Sequence, residues 1–384
     1  MTILIDASRA LHPEPTGIEY YCREIILALL SLPEAQDHEW VLLSPKKPAA
    51  NHPLGKLPQH ARWQVIPGRR AWTWWHLSWF LYRQPRFRTA ILFVPGHTLP
   101  LVTPITTVVV IHDLAYRYFT AAYGVLRSWW LNHELARSAK KATHIIVPSE
   151  TTQRDLEKFY GIVPRKVSVI PHGIDHAKFR PLLKNEQPLL PKKLRLEQPY
   201  FFVLGRLEHR KNIIRILNAF HYFCVTQTTA TTKLVFAGRP GYGWAAIQKR
   251  YRQLPSAIQK RIQFLGYLND SEATLWLRAA HALLYPSLYE GFGLPALEAM
   301  AVGVPVITSR NSSISKITSQ ASLLINPIDE GELVKAMTQI NTNQALRRQL
   351  ITAGRQRAAQ HTWEKAARET FKELYVAFQH QSAL

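Results

Sequence analysis

The chain alternates, over and over, between short runs of β-branched or aromatic residues and longer helical patterns. TILIDA, WVLLSP, AILFVP, TTVVVIHD, THIIVPS and KVSVIPHG fill the first half, and PYFFVLG, KLVFAG, RIQFLGY, HALLYPS and VPVITS the second. These runs are apolar almost throughout, not at every other position. Strands of that composition are buried on both faces, as in a parallel sheet covered by helices on both sides. Helical stretches such as IEYYCREIILALLSL and SWWLNHELARSAKKA lie between them, which is the spacing of βαβ units. The expected fold class is therefore α/β, built from doubly wound, Rossmann-like sheets.

The rhythm breaks once. The stretch 181-PLLKNEQPLLPKKLRLEQP-199 is rich in proline and charge and reads as a linker, after which the strand runs restart. With 384 residues the chain is long enough for two cores. We expect a first Rossmann-like domain over 1–180, a linker over 181–198 and a second such domain over 199–360. The remaining segment, 361–384, holds the helical pattern TWEKAARETFKELYVAFQ with no strand after it, and is expected to pack across both domains. Ligands of such sheets sit at the carboxyl ends of the strands, so a site in the cleft between two domains is expected.

Composition excludes several classes. Two cysteines, Cys22 and Cys224, stand in distant segments and offer neither a disulfide framework nor a zinc spacing, which fits a reducing, cytoplasmic setting. The N-terminal MTILIDASRA lacks the long apolar stretch of a signal peptide, and no run of about 18 apolar residues occurs. The net charge of +22 is uneven: between Asn51 and Pro100 there are seven Lys or Arg and no acid. That balance suits an anionic partner, whether nucleic acid, an anionic membrane surface or a phosphorylated ligand.

Two stretches carry the chemistry. In 203-VLGRLEHRKNIIRILNAF-220 a strand ends at Gly205, Asn212 is placed to cap the following helix, and Arg206 and Lys211 occupy the turn between. Two cations at that end of a sheet can neutralise a pyrophosphate and stabilise it as a leaving group; as an isolated pair they can equally be solvated loop residues. In 289-YEGFGLPALEAMAVGVPVI-307 two glutamates, Glu290 and Glu298, flank Gly291, Gly293 and Pro295. Pro295 fits the first turn of a helix and the glycines leave the preceding backbone bare, so the segment reads as an anion-binding loop running into a helix N-terminus. Glu298, read as lying in that first turn, can complement the helix dipole or accept from vicinal ribose hydroxyls, and Glu290 can hold hydroxyls of a second sugar. Together they describe a receptor for a sugar joined to a nucleoside by a diphosphate.

Other signals are weaker. His112 and Asp113 end the run TTVVVIHD, where a histidine can bond a ligand hydroxyl or satisfy loop backbone. Gly17 lies between the first strand and a helix, as a phosphate-contacting glycine or a turn glycine. The stretch 238-GRPGYGWAA-246 superficially matches a dinucleotide fingerprint, but Ala246 stands at the third glycine position. There is no Asp-x-Asp pair and no histidine cluster at metal-ligand spacing. In 69-RRAWTWWHLSWFLYRQPRFR-88, Trp72, Trp75, Trp79 and Tyr82 recur at helical spacing, bracketed by Arg69, Arg70, Arg83, Arg86 and Arg88. Two readings are open there: an anionic membrane interface, or a helix buried in the first domain.

Taken together, the chain resembles the retaining GT-B glycosyltransferases, specifically glycosyltransferase family 4. The Gly17 loop, HDLAYRYF from His112, VPSETTQRDLEKFYG from Val147, VIPHGID from Val169, GRLEHRKN from Gly205 and PSLYEGFGLPALEAMAVGVPVIT from Pro286 carry the resemblance. It implies that Arg206 and Lys211 bind the donor diphosphate, that Glu298 holds the ribose and Glu290 the transferred sugar, and that backbone at Phe292, Gly293 and Leu294 contacts sugar and phosphate. It further implies His112 near the reacting carbon and Gly17 beside the phosphates. Transfer would proceed with retention by front-face attack, with no protein nucleophile, metal or other cofactor. The resemblance leans to mannosyl- or rhamnosyl-type enzymes of surface polysaccharide synthesis, with a GDP-mannose-like donor, a glycan or lipid-linked acceptor, and a cytoplasmic location that extends to the inner face of the plasma membrane. Where relatives usually carry a glutamate, this chain has Lys316. A sugar-nucleotide epimerase of the same architecture is the alternative, followed by a basic nucleic-acid-binding protein, for which the chain has no recognised module.

Overall fold

A computed structural model describes residues 1–12, 17–69, 71–183, 186, 198–311 and 313–382, without the side chains of the last two. Most of the expected linker, and Arg70, lie outside the described residues. The chain divides into two units, one of Met1–Gly173 with Thr362–Leu384, the other of Ile174–His361.

The first unit holds seven strands: β1 (Thr2–Asp6), β2 (Glu39–Ser44), β3 (Ala61–Val65), β4 (Ile91–Val94), β5 (Thr106–Val110), β6 (His144–Val147) and β7 (Val167–Val169). All pair in parallel, in the order β3-β2-β1-β4-β5-β6-β7. The period of two is visible in the packing. Ile3, Ile5, Phe93, Val108 and Val110 share a core with Ile25 and Leu29 of the helix Gly17–Leu30, whereas Leu4, Leu92, Val94 and Val109 join Leu77, Leu81, Leu135 and Leu156 in a second core. Both faces are covered, which is why these strands need no polar alternation.

The second unit repeats the plan with β8 (Tyr200–Leu204), β9 (Lys233–Ala237), β10 (Ile262–Phe264), β11 (Ala282–Tyr285), β12 (Val306–Ser309) and β13 (Leu323–Ile325), parallel in the order β10-β9-β8-β11-β12-β13. In each sheet the direction of winding reverses beside the first strand, between β1 and β4 and between β8 and β11. Ligands of open α/β sheets bind at the carboxyl ends of the strands at such a reversal. Two strands escaped the sequence reading. β3 is an edge strand that carries Arg62 and Gln64 and is largely half-exposed, and β13 has only three residues.

Two expectations shift. The first unit ends at Gly173, so Ile174–Arg180 go with the second unit and not with a first domain running to 180. The helix Trp363–Ser382 belongs to the first unit, where Ala366, Ala367, Leu374 and Ala377 enter the core shared with Gly17–Leu30. Backbone contacts explain the boundary. A Cβ at Gly173 would fall 2.2 Å from the amide nitrogen of Trp363, and the Ile174 N–H donates to the His361 carbonyl at 3.1 Å.

Candidate active site

The reversal between β8 and β11 is framed by three loops of the second unit. The turn after β8 opens with Gly205 at φ +125°. Behind it the loop after β9 begins with Gly238, where a Cβ would fall 1.9 Å from the Gly205 carbonyl oxygen, so only glycine fits. The two loops are laced by backbone: Leu207 N–H donates to Arg239 O, Gly241 N–H to Leu207 O, and His209 N–H to Tyr242 O, each at 2.9 Å. GRPGYG, which resembles a nucleotide fingerprint in sequence, thus braces the turn that carries Arg206 and Lys211.

Asn212 stands at the N-cap position of the helix Ile213–Thr226, but its side chain does not cap. At φ +63° it is left-handed. Its Nδ2 instead donates to the carbonyls of Pro286 (3.1 Å) and Pro327 (2.5 Å), and its Oδ1 accepts from Arg215. The expected helix cap is a tie between the ends of separate strands.

At the centre lies a charge cluster. Lys211 Nζ donates to Glu290 Oε1 at 2.5 Å and to the Tyr285 hydroxyl at 2.6 Å, and sits 4.4 Å from the centre of the Tyr285 ring. Arg210 reaches the other oxygen, Glu290 Oε2, at 2.9 Å, and also donates to the Tyr289 carbonyl and to Glu208. Burial alone would raise the Glu290 carboxyl; Arg210 and Lys211 outweigh it and hold it down to about 2. Burial lowers the Lys211 ammonium, with Glu290 opposing. Glu290 is therefore ionised near neutrality, and its carboxylate opposes the loss of the Lys211 charge. Arg206 does not join this cluster. It is exposed, its side chain lying against Gly241. Arg210 was missed in the sequence because neither the turn pattern nor the resemblance singles it out.

The loop after β11 ends at Gly293, at φ +108°, where a Cβ would also meet Ile314 Cγ1 at 2.8 Å. The helix then runs Leu294–Ala301, with Pro295 in its first turn. The Glu290 carbonyl accepts from Ser313 Oγ at 2.6 Å, which pins the loop from the far side. Phe292 buries its ring in the core, 6.1 Å from that of His361, so the loop offers a ligand its backbone rather than this side chain. Glu298 is corrected in one respect. The helix starts at Leu294, so Glu298 is its fifth residue and no acid occupies the first turn. Neutralising the N-terminal dipole is thus not its role. Burial pushes its carboxyl up to about 7, opposed by Lys178 and reinforced by Asp270. No hydrogen bond engages the Glu298 carboxylate among the described residues.

The remaining expected residues lie in the first unit. Gly17 opens its helix, and a Cβ there would meet nothing within 4 Å. His112 is buried beside Tyr21, His97 and His172, with ring centres 4.6, 5.1 and 5.4 Å away. Its Nε2 lies 2.9 Å from the Pro95 carbonyl, which can only accept, so Nε2 carries the proton. Burial lowers its pKa to about 4. Neutral His112 therefore has Nδ1 as an acceptor suited to a hydroxyl. Among the described residues, no group of three or more His, Cys, Asp or Glu could hold a metal ion. No helix among them is long and apolar enough to cross a membrane.

Comparison with known proteins gives the family and the fold. Residues 15–178 match the Glycosyltransferase Family 4 model, and residues 187–357 match the model of Glycosyl transferases group 1. The chain is 26% identical to O-antigen chain mannosyltransferase B of Escherichia coli over 79% of its own length and 76% of that protein. It is also 26% identical to O-antigen chain mannosyltransferase RfbU of Salmonella typhimurium, over 64% of this chain and 63% of that one, so it spans under two thirds of that relative. Its fold is similar to that of sucrose-phosphate synthase from Thermosynechococcus elongatus, with a TM-score of 0.72, 21% identity, and coverage of 98% and 100% of the two chains. Two family models divide the chain between them, and each falls on one doubly wound parallel sheet: the chain is a glycosyltransferase of the GT-B type.

Proposed function

We propose that the chain transfers a mannose-like sugar from a nucleoside diphosphate donor, with retention and without a metal ion, to a glycan or lipid-linked acceptor of surface polysaccharide synthesis. The observation that carries this is the buried cluster of Arg210, Lys211 and Glu290 at the β8–β11 reversal, beside a bare-backbone helix N-terminus. Lys211 has three protons, two of which are engaged, and the third is available to a phosphate oxygen. The same cations that keep Glu290 ionised would stabilise the charge that grows on a departing diphosphate. Glu290, kept ionised, accepts from sugar hydroxyls, and Glu298 from those of the ribose. The sugar rests on the similarity to two O-antigen chain mannosyltransferases.

The test is incubation with UDP-, GDP- and ADP-sugars and measurement of released nucleotide. Release of a nucleoside diphosphate, fastest with GDP-mannose, supports the proposal; no release from any donor with acceptors present overturns it. An epimerised sugar nucleotide formed without acceptor would identify the epimerase alternative.

The exposed aromatic segment supports a peripheral membrane location. Trp75, Trp79 and Tyr82 are 64%, 59% and 71% exposed, and the Arg83 guanidinium lies over the Trp79 ring at 4.1 Å. Trp72 is different: it is buried and donates its indole N–H to Ile66 O. The helix spans only His76–Arg83, with Leu77 and Leu81 facing the core. Of the four aromatics expected on one face, three are therefore on the surface and one is structural.

A further inference from the structure

Lys211 reaches the charge cluster on a long, flexible stem, and such a group keeps one place only where fixed acceptors meet it. The Glu290 carboxylate is one of these acceptors, at 2.5 Å from Nζ. The other is the phenol oxygen of Tyr285, at 2.6 Å. Neither the turn pattern nor the family resemblance singles that tyrosine out.

Tyr285 is built to stay still. It is the last residue of β11, and its own carbonyl accepts from Thr308 Oγ1 of β12 at 2.9 Å. Its side chain is buried in the core that also holds Phe202, Phe292 and Leu297, so the ring is locked by packing and the oxygen is a fixed point of the sheet. Burial and the Glu290 carboxylate push the phenol well above its usual pKa, which keeps it neutral and rules it out as a base or nucleophile. The phenol proton is given to Glu290, since the ionised carboxylate can only accept. Lys211, Tyr285 and Glu290 thus close a ring of hydrogen bonds, with the ammonium donating to both oxygens and the phenol to the carboxylate. Two protons of a tetrahedral ammonium then have set directions, and the direction of the third follows.

We infer that Tyr285 is a positioning residue for the transfer: its hydroxyl sets the direction of the remaining Lys211 proton, so that a diphosphate oxygen meets a donor already aligned. The inference rests on the proposed reaction, in which Lys211 faces the departing diphosphate. A donor aligned beforehand acts most strongly where charge develops, because nothing has to reorganise at that moment. The phenol should therefore be felt in kcat and hardly in donor binding.

The experiment compares Tyr285→Phe, Lys211→Ala and the double variant in the whole chain, by steady-state donor turnover and by calorimetric binding of GDP and UDP. Tyr285→Phe keeps the ring and loses only the oxygen. It should lower kcat about tenfold, the usual effect of one hydrogen bond to a charged group, and leave KM and nucleotide Kd within about twofold of wild type. The double variant should be no slower than Lys211→Ala alone, because Tyr285 acts only through that ammonium. A tyrosine with a merely structural role would lower kcat by the same factor in both backgrounds. Tyr285→3-fluorotyrosine, introduced at that site alone, keeps ring and oxygen but weakens the oxygen as an acceptor, and should lower kcat by an intermediate amount. It carries the test if Tyr285→Phe fails to fold. Unchanged kcat in these variants, or a loss in Tyr285→Phe that multiplies in full with that of Lys211→Ala, overturns the role. Wild-type protein that releases nucleotide from no donor removes the proposed reaction and this role together, whereas normal wild-type turnover with Tyr285→Phe unaffected removes the role alone.

Discussion

Lys211 Nζ and Glu290 Oε1 are 2.5 Å apart, a buried ion pair in the place where a donor diphosphate and its sugar would lie. Lys211 and Arg210 together hold Glu290 ionised against the burial that would otherwise raise its carboxyl. Lys211→Ala should therefore lower kcat by roughly 10²–10³, since it removes a donor to charge that develops as the bond breaks. It should also destabilise the protein by up to roughly 3 kcal/mol, because Glu290 stays buried with one cation instead of two. Steady-state kinetics on donor turnover, with a thermal melt, checks both. A change in KM alone would remove Lys211 from leaving-group stabilisation.

Glu298 gives a pH signature in two measurements. Its carboxyl is raised from 4.5 to about 7, so between those values the folded chain holds a proton that the unfolded chain has released. Stability from this group is therefore lost as pH rises through that window, and Glu298→Gln should flatten that part of the stability profile. Nucleotide binding has the opposite sign, since the ionised form is the better acceptor for ribose hydroxyls. Calorimetric Kd values for GDP or UDP should tighten between about pH 5 and about pH 8 in the wild type, and much less in Glu298→Gln. A pH-independent Kd in the wild type would take Glu298 out of the ribose site.

Excess EDTA should leave donor turnover intact. In the proposed reaction the charge on the diphosphate would be met by fixed cations, Lys211 and Arg210 within the cluster and Arg206 on the exposed side of the turn. Activity abolished by chelation and restored by Mg²⁺ or Mn²⁺ would show that these side chains do not suffice.

Liposomes containing anionic lipid should bind the chain, and added salt should weaken the binding by screening basic residues of the segment such as Arg83, which lies over Trp79. Because Trp75 and Trp79 are more than half exposed, replacing both with serine should cost little stability, within about 0.5 kcal/mol each. Binding should fall while nucleotide affinity stays. Wild-type protein that ignores such liposomes would return the segment to an ordinary surface.

Most of the architecture was legible because both-face burial leaves a composition that little else produces. Ile3, Leu4 and Ile5 read as a strand before any pairing is known, and β3 did not because Arg62 and Gln64 lie at an edge that water reaches. The local structure of the candidate site was legible where residue type and spacing write it, as at Gly293 before the helix that follows β11 and Pro295 in its first turn. It was not where three-dimensional partners decide the role. Arg210 differs from Arg206 only in which way it points. Asn212 has a capping residue's identity but a left-handed backbone that sends its amide elsewhere. Trp72 belongs to the same helical pattern as Trp75 and Trp79, yet the helix begins only after it.

The hydrogen bond from Ile174 to the His361 carbonyl has a consequence for how the chain can be taken apart. The second unit begins and ends at one point, so it has the form of a module spliced into a host, whose own severed ends, Gly173 and Trp363, touch. Insertions of that kind tolerate excision, since neither piece has a gap to bridge. Expressed alone, Ile174–His361 would retain the whole Arg210, Lys211 and Glu290 cluster, so the proposed nucleotide site would be separable from the remainder of the enzyme.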